Sequence, residues 1–253
     1  MNYGISILSI IPVRLEPNNR SEMTTQLIFG EHFKILESIK KWSKIQISHD
    51  KYLGWISNNQ IQEINFEEYE KLDKEIPTLS TDILDIIESD FNQPIVIGSI
   101  LPTFKSDHAL INNKMYKFTG NTTQGFTQRK HLINNAMVFL NAPYLWGGRT
   151  PFGIDCSGFT QIIYRLQGIK IPRDAYQQIN LGQEINLDNC EEGDLAFFEN
   201  KSGKITHVGL ILENNKIIHA SGQVRIDKLD EKGIFNSEKQ KYSHKLHSIK
   251  KLI

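Results

Sequence analysis

Asp155-Cys156-Ser157-Gly158-Phe159 places a thiol where a helical pattern begins. The start of a helix offers unpaired N–H groups and a partial positive charge, and both favour the thiolate over the thiol. Asp155 and Ser157 are helix-starting residue types, and Gly158 permits close backbone approach. From such a position the backbone N–H of Cys156 can also face a developing oxyanion. Two histidines follow, His207 in Thr206-His207-Val208-Gly209-Leu210-Ile211-Leu212 and His219 in Ile217-Ile218-His219-Ala220. The turn Glu213-Asn214-Asn215 joins these runs as a hairpin, so both imidazoles can lie on neighbouring strands facing the Cys156 helix. This set reads as a cysteine nucleophile, His207 as general base, and His219 holding the ring of His207 in one tautomer. The same three residues could instead be zinc ligands, but no close-spaced Cys or His pair of the usual kind accompanies them. The other cysteine, Cys190, reads as a small buried hydrophobe.

The elements that must position these groups are legible in outline. Phe159, Ile162, Ile163 and Leu166 fall at i, i+3, i+4 and i+7, one apolar helix face, and Gly168 is placed to end that helix. Before it, Leu132, Ile133, Ala136, Met137, Phe139 and Leu140 predict a helix that stops near Pro143. After it come a strand ended by Pro172, a short helix opened by Arg173-Asp174, and strands over residues 195–198, 207–212, 216–220, 224–226 and 248–253. Helices first and an antiparallel sheet after is an α+β pattern. Short apolar or alternating runs between residues 4 and 64, punctuated by Pro17-Asn18-Asn19, Gly30-Glu31, His49-Asp50 and Asn58-Asn59, predict a small β-barrel. Residues 65–126 read as a connector and a second small β unit. Within it Glu67–Lys74 is helix-permissive, and a short helix is expected between Pro77 and Asp90 through Ile83, Leu84, Ile86 and Ile87. Strands are expected near Ile95 and Met115.

Composition narrows the function. The chain has 253 residues, and its 29 Lys+Arg balance 29 Asp+Glu, so nothing marks a nucleic-acid-binding surface. No apolar run approaches a membrane span. Two cysteines make no disulfide framework. The N-terminal residues do not read as a secretory leader, so a cytoplasmic location is expected, or a periplasmic or secreted one if a leader has been removed. No cofactor or resident metal is expected, and a monomer is the default.

Pro143-Tyr144-Leu145-Trp146-Gly147-Gly148, Gly153-Ile154-Asp155-Cys156-Ser157-Gly158-Phe159, Pro172-Arg173-Asp174-Ala175, Gly193-Asp194-Leu195, His207-Val208-Gly209 and Ile218-His219-Ala220 together resemble the NlpC family of papain-like cell-wall peptidases. The resemblance implies a papain-like peptidase domain over residues 127–253. It implies Cys156 as nucleophile, His207 as base, His219 as third polar residue, and Tyr144 beside the oxyanion site. Val13-Arg14, Gln26–Glu31, Trp42 and Tyr52-Leu53-Gly54-Trp55-Ile56 resemble a bacterial SH3-like domain over residues 1–64. This order of domains is similar to that of the γ-D-glutamyl-L-diamino-acid endopeptidases of murein recycling, which cut after D-Glu in peptides with a free N-terminal L-Ala. The implied partners are murein-derived peptides, with meso-diaminopimelate or Lys as the diamino acid. Selecting a free ammonium needs carboxylates and hydroxyls around it. Asp155, Ser157 and Asp174 are the matched candidates in the peptidase domain, and Tyr52, with Glu22 or Glu31, in the SH3-like domain. Arg173 could pair with Asp174 or with a substrate carboxylate. The alternatives are a non-catalytic murein-binding protein, and an amidase or acyltransferase on the same fold.

Overall fold

A computed structural model describes residues 2–253. The chain divides into two compact units, the first ending at Phe126 and the second beginning at Thr127.

In the first unit, β1 (Asn2–Ile5), β2 (Ile10–Arg14), β3 (Met23–Ile28), β4 (His32–Ile39), β5 (Trp42–Ile47), β6 (Leu53–Ser57) and β7 (Gln62–Ile64) form an antiparallel sheet of order β3-β2-β6-β5-β4-β1-β7. Alternation directs Ile11, Val13, Leu27, Phe33, Ile45, Ile47 and Ile56 into one core. Each such side chain, fully buried, is worth about 1.5–3 kcal/mol. Helix α1 (Phe66–Lys74) follows, capped by Asn65, whose side chain accepts from the Glu68 N–H at 2.8 Å.

Strands β8 (Thr78–Ser80), β9 (Leu84–Glu88), β10 (Asn92–Val96), β11 (Ile100–Leu101), β12 (His108–Ile111), β13 (Lys114–Lys117) and β14 (Thr122–Gln124) build a four-stranded sheet β10-β9-β13-β12 and a three-stranded sheet β11-β8-β14. The helix expected between Pro77 and Asp90 is therefore two strands. Its apolar residues fit both periods over so short a window. The β-branched isoleucines and the antiparallel pairing of β9 with β10 decide for strand.

The second unit contains α2 (Lys130–Met137), the short pair β15 (Arg149–Thr150) and β16 (Gly153–Ile154), α3 (Cys156–Leu166) and α4 (Ala175–Gln178). Its sheet consists of β17 (Gln183–Ile185), β18 (Leu195–Glu199), β19 (Ile205–Leu212), β20 (Lys216–Ser221), β21 (Gln223–Asp230), β22 (Gly233–Asn236) and β23 (Lys241–Lys251). The strand order is β17-β23-β18-β19-β20-β21-β22, and β22 also pairs with β23, so β18 to β23 close on themselves. The architecture is α+β. No strand ends at Pro172: Gly168, at φ +78°, ends the helical turn, and the carbonyls of Ile171 and Pro172 accept instead from the side chains of Gln161 at 3.1 Å and Gln178 at 2.8 Å. These buried side chains do for the backbone what a neighbouring strand would have done.

Helix α3 is buried along its whole length, polar residues included. A helix covered on all sides belongs to the core rather than the surface. Within it, Thr160 donates to the Gln178 side chain at 2.8 Å and Gln161 donates to the Ile171 carbonyl at 3.1 Å. The first turn of α3 is therefore held fixed rather than frayed.

Candidate active site

Asp155 is the N-cap of α3, with its Oδ1 accepting from the Gly158 N–H at 2.7 Å. Oδ2 accepts from the Gly147 N–H at 2.8 Å, which ties the Trp146-Gly147-Gly148 loop to the same carboxylate. A Cβ on Gly158 would stand 2.4 Å from the Gly148 carbonyl oxygen, so only glycine lets the loop and the helix start approach this closely. Beneath them lies Arg173, 1% exposed. Its NH2 reaches Asp155 Oδ2 at 2.6 Å, and its NH1 reaches Asp155 Oδ1 at 3.0 Å and Ser157 Oγ at 2.9 Å. The carboxylate that Arg173 meets here is that of Asp155. A guanidinium this deeply buried needs a carboxylate at hand, and the cap of α3 supplies it.

Cys156 is 7% exposed, and both cysteines are free thiols. Burial, reinforced by the Asp155 charge, pushes the Cys156 thiol up to about 12, against the opposing pull of the Val208 N–H, Arg173 and the Ser157 N–H. The helix start alone predicts the opposite sign; desolvation outweighs it here. The resting sulfur is therefore a thiol. The N–H of Val208, the residue after His207, bonds to that sulfur and fixes β19 beside the helix start. Tyr144 lies close to both Cys156 and Asp155. Burial first, then those two acidic groups, push its hydroxyl to about 12, so it stays an O–H donor.

The two expected histidines meet. Asn214 and Asn215 both take positive φ, 59° and 55°, the conformation of tight hairpin turns. That turn sets the register of β19 on β20, with Leu210 opposite Ile218. A Cβ on Gly209 would come within 2.8 Å of the Cβ of His219, so glycine at this point lets His219 sit close against β19. His207, on the same face as Gly209, is then its diagonal neighbour. His207 Nε2 and His219 Nδ1 share a hydrogen bond of 2.8 Å, both rings being buried. Burial, followed by the neighbouring imidazoles of His219 and His244, holds His207 well below its ordinary 6.5.

Three further residues carry no signal of their own in the sequence. His244, from β23, stacks on His207 with centroids 4.1 Å apart and planes 20° from parallel. Burial and the neighbouring His219 imidazole, opposed by Asp227, bring His244 down to about 4. Asp227 lies 3.1 Å from His219 Nε2, and Arg225 bonds to Asp227. A repeat of Asp and Arg on an alternating strand looks like a solvent face, and only the closure of β22 on β23 brings His244 over the site. Among the described residues, ring nitrogens of His207, His219 and His244 lie within 4.8 Å of one another. Two imidazoles on one tetrahedral zinc, each about 2.0–2.1 Å from the metal, stand about 3.3 Å apart. The 2.8 Å approach of His207 and His219 is that of a hydrogen bond rather than of two ligands.

The remaining candidates are positioned as follows. Asp174 is half-buried at the start of α4, and the side chain of Gln178 from that helix donates to the Ser157 carbonyl at 3.0 Å. Glu22, Glu31 and Tyr52 belong to the first unit. Glu31 is buried there, with its Oε2 accepting from the Ile28 N–H at 2.9 Å; Tyr52 packs against the barrel core; Glu22 is exposed.

Comparison with known proteins gives these arrangements a family. Residues 141–242 match the NlpC/P60 family, and residues 13–61 match the bacterial dipeptidyl-peptidase SH3 domain. A Bacillus cereus protein named gamma-D-glutamyl-L-lysine dipeptidyl-peptidase is 28% identical over 80% of this chain and 68% of its own length. A Haemophilus influenzae protein named probable endopeptidase NlpC homolog is 38% identical over 56% of this chain and 75% of its own length. The crystal structure of an NlpC/P60 family protein from Bacillus cereus shares the fold, with a TM-score of 0.82 at 20% identity, covering 98% of this chain and 99% of that one. Among the described residues no helix is long and apolar enough to cross a membrane. The chain belongs to the NlpC/P60 family: it is a cysteine peptidase with a bacterial SH3 domain ahead of its peptidase domain.

Proposed function

We propose that this peptidase hydrolyses the γ-D-glutamyl–diamino acid bond of murein peptides that begin with a free L-Ala, with meso-diaminopimelate or Lys as the diamino acid. The observation that carries the reading is a thiol at the first turn of α3, next to strand β19, whose His207 bonds to His219 of β20. The relative named for γ-D-glutamyl-L-lysine cleavage supports the substrate class. His207 takes the Cys156 proton as the sulfur attacks the D-Glu side-chain carbonyl. The resulting oxyanion is met by the Cys156 N–H and the Tyr144 hydroxyl. The leaving amine takes the proton from His207, and the acyl group remains on sulfur as a thioester. Water, deprotonated by His207, then releases L-Ala-γ-D-Glu and restores the thiol. Asp174, at the start of the α4 helix whose Gln178 bonds to the Ser157 carbonyl, suits a substrate ammonium.

A neutral thiol beside a neutral imidazole has a consequence for pH. The base works only when unprotonated, and a His207 held well below 6.5 stays unprotonated as pH falls through 6.5. The kcat/KM profile is therefore expected to stay level across that pH, with its acid limb below it. An acid limb at or above 6.5 would contradict this assignment of the base.

The substrate is tested with L-Ala-γ-D-Glu-meso-diaminopimelate, its Lys counterpart, and N-acetylated copies of each, with products read by mass spectrometry. Free peptides are expected to yield L-Ala-γ-D-Glu, and acetylation to slow cleavage by about 100-fold or more, because it removes a charge the site must pair. Equal rates with and without the acetyl group would refute selection of the free end. Acyl transfer without hydrolysis would point to the acyltransferase alternative.

A further inference from the structure

His219 is gripped on its far side as firmly as on its near side. Its Nε2 lies 3.1 Å from Asp227 Oδ2, and both residues are buried. The same carboxylate takes two bonds from Arg225, Nε to Oδ2 at 2.8 Å and NH2 to Oδ1 at 3.1 Å. Arg225 NH1 extends to Glu238 Oε2 at 3.3 Å. The ladder explains the grouping. His219 on β20 is registered with Arg225 on β21, and residue 227 falls on the same face of β21 as residue 225.

We propose that Asp227, clamped by Arg225, is a positioning residue that fixes which nitrogen of each histidine carries its proton. An ionised carboxylate only accepts hydrogen bonds, so His219 Nε2 must bear the N–H. Burial alone would raise the Asp227 carboxyl, but the bonds from His219 and Arg225 hold it below the usual range, so it is ionised. With one proton per ring, His219 presents a lone pair at Nδ1. His207 Nε2, 2.8 Å away, must then donate, which leaves the lone pair of His207 at Nδ1. That nitrogen receives the thiol proton, and no other tautomer of the chain leaves it vacant. When His207 becomes an imidazolium, its Nε2–H still points along the chain toward a negative charge. The inference rests on the reading of Cys156 and His207 as nucleophile and base, but its direct test does not.

Full-length protein with 15N-labelled histidine is examined by NMR near neutral pH, where ring nitrogens with and without hydrogen are distinct. The expected spectrum has N–H at Nε2 and a lone pair at Nδ1 for both His207 and His219. In Asp227→Asn the carboxamide sets an NH2 group against either Arg225 or His219. Reversal at His219 would move the His207 proton to Nδ1. By analogy with the Asp→Asn change in a serine-protease triad, kcat/KM is expected to fall by about 100- to 10,000-fold, mostly in kcat. The His207 Nδ1 signal should shift toward the protonated form. Wild-type protein with N–H on His207 Nδ1, or Asp227→Asn with unchanged kcat/KM, would overturn the clamp. Should Asp227→Asn fail to fold, the wild-type spectrum decides alone. A fully active Cys156→Ala would instead defeat the proposed mechanism and leave the spectrum to judge the clamp.

Discussion

Cys156→Ala is expected to abolish peptide hydrolysis, with kcat falling by about 10⁴-fold or more. Removal of a nucleophile leaves only the binding and oxyanion contributions, which cannot form the thioester. The fold should survive. The thiol is uncharged at rest, because burial pushes it to about 12, so the substitution removes no paired charge from the first turn of α3. The thermal midpoint is therefore expected to stay near that of the parent while turnover vanishes. An active alanine variant, or one that loses activity only because it melts, would contradict the assignment. Cys156→Ser should behave like alanine, since a hydroxyl in the same buried position is a weaker acid and a weaker nucleophile.

The second large effect concerns the support under that turn. Asp155→Ala is expected to destabilise the protein by about 3–5 kcal/mol, the usual consequence of breaking a buried ion pair from one side. Arg173 would be left nearly fully buried without the carboxylate it touches through both terminal nitrogens. The Gly147 and Gly158 N–H groups would lose their acceptor as well. Denaturant unfolding of Asp155→Ala, Arg173→Met and the double variant gives the measurement. The double variant should be more stable than Asp155→Ala, because it also removes the buried guanidinium that has lost the Asp155 carboxylate. If Asp155→Ala costs less than about 1 kcal/mol, the buried pair is not what holds the helix start.

Much of the fold was legible because its signals are local. The cap Asp155, the apolar spacing of Phe159, Ile162, Ile163 and Leu166, and the Asn214-Asn215 turn each act within a few residues. They led to α3 and to the β19–β20 hairpin, and so to the placement of His207 against His219. The segments that depart from their local signals depend on distant partners. Residues 84–88 form a strand because β10 and β13 pair with them. The chain after Gly168 is no strand because Gln161 and Gln178 satisfy its carbonyls.

The same division runs through the site. Cys156, His207 and His219 announce themselves by type and setting. Asp227, Arg225 and His244 sit in polar alternating runs; the first two take their roles when β21 pairs with β20, and His244 when the sheet closes from β22 onto β23. The ionisation of Cys156 runs against its local signal for a similar reason. A helix start is visible in sequence, whereas the depth of burial that overrides it belongs to the assembled core.

The central claim is an acyl intermediate on one sulfur, and rapid-quench intact-mass analysis tests it most directly. Mixing enzyme with L-Ala-γ-D-Glu-meso-diaminopimelate and quenching in acid should trap a transient species heavier by one L-Ala-γ-D-Glu acyl group. Peptide mapping should place that mass on Cys156, and Cys156→Ala should show none of it. Peptide cleavage with no such adduct on Cys156, matched by cleavage in Cys156→Ala, would contradict the account.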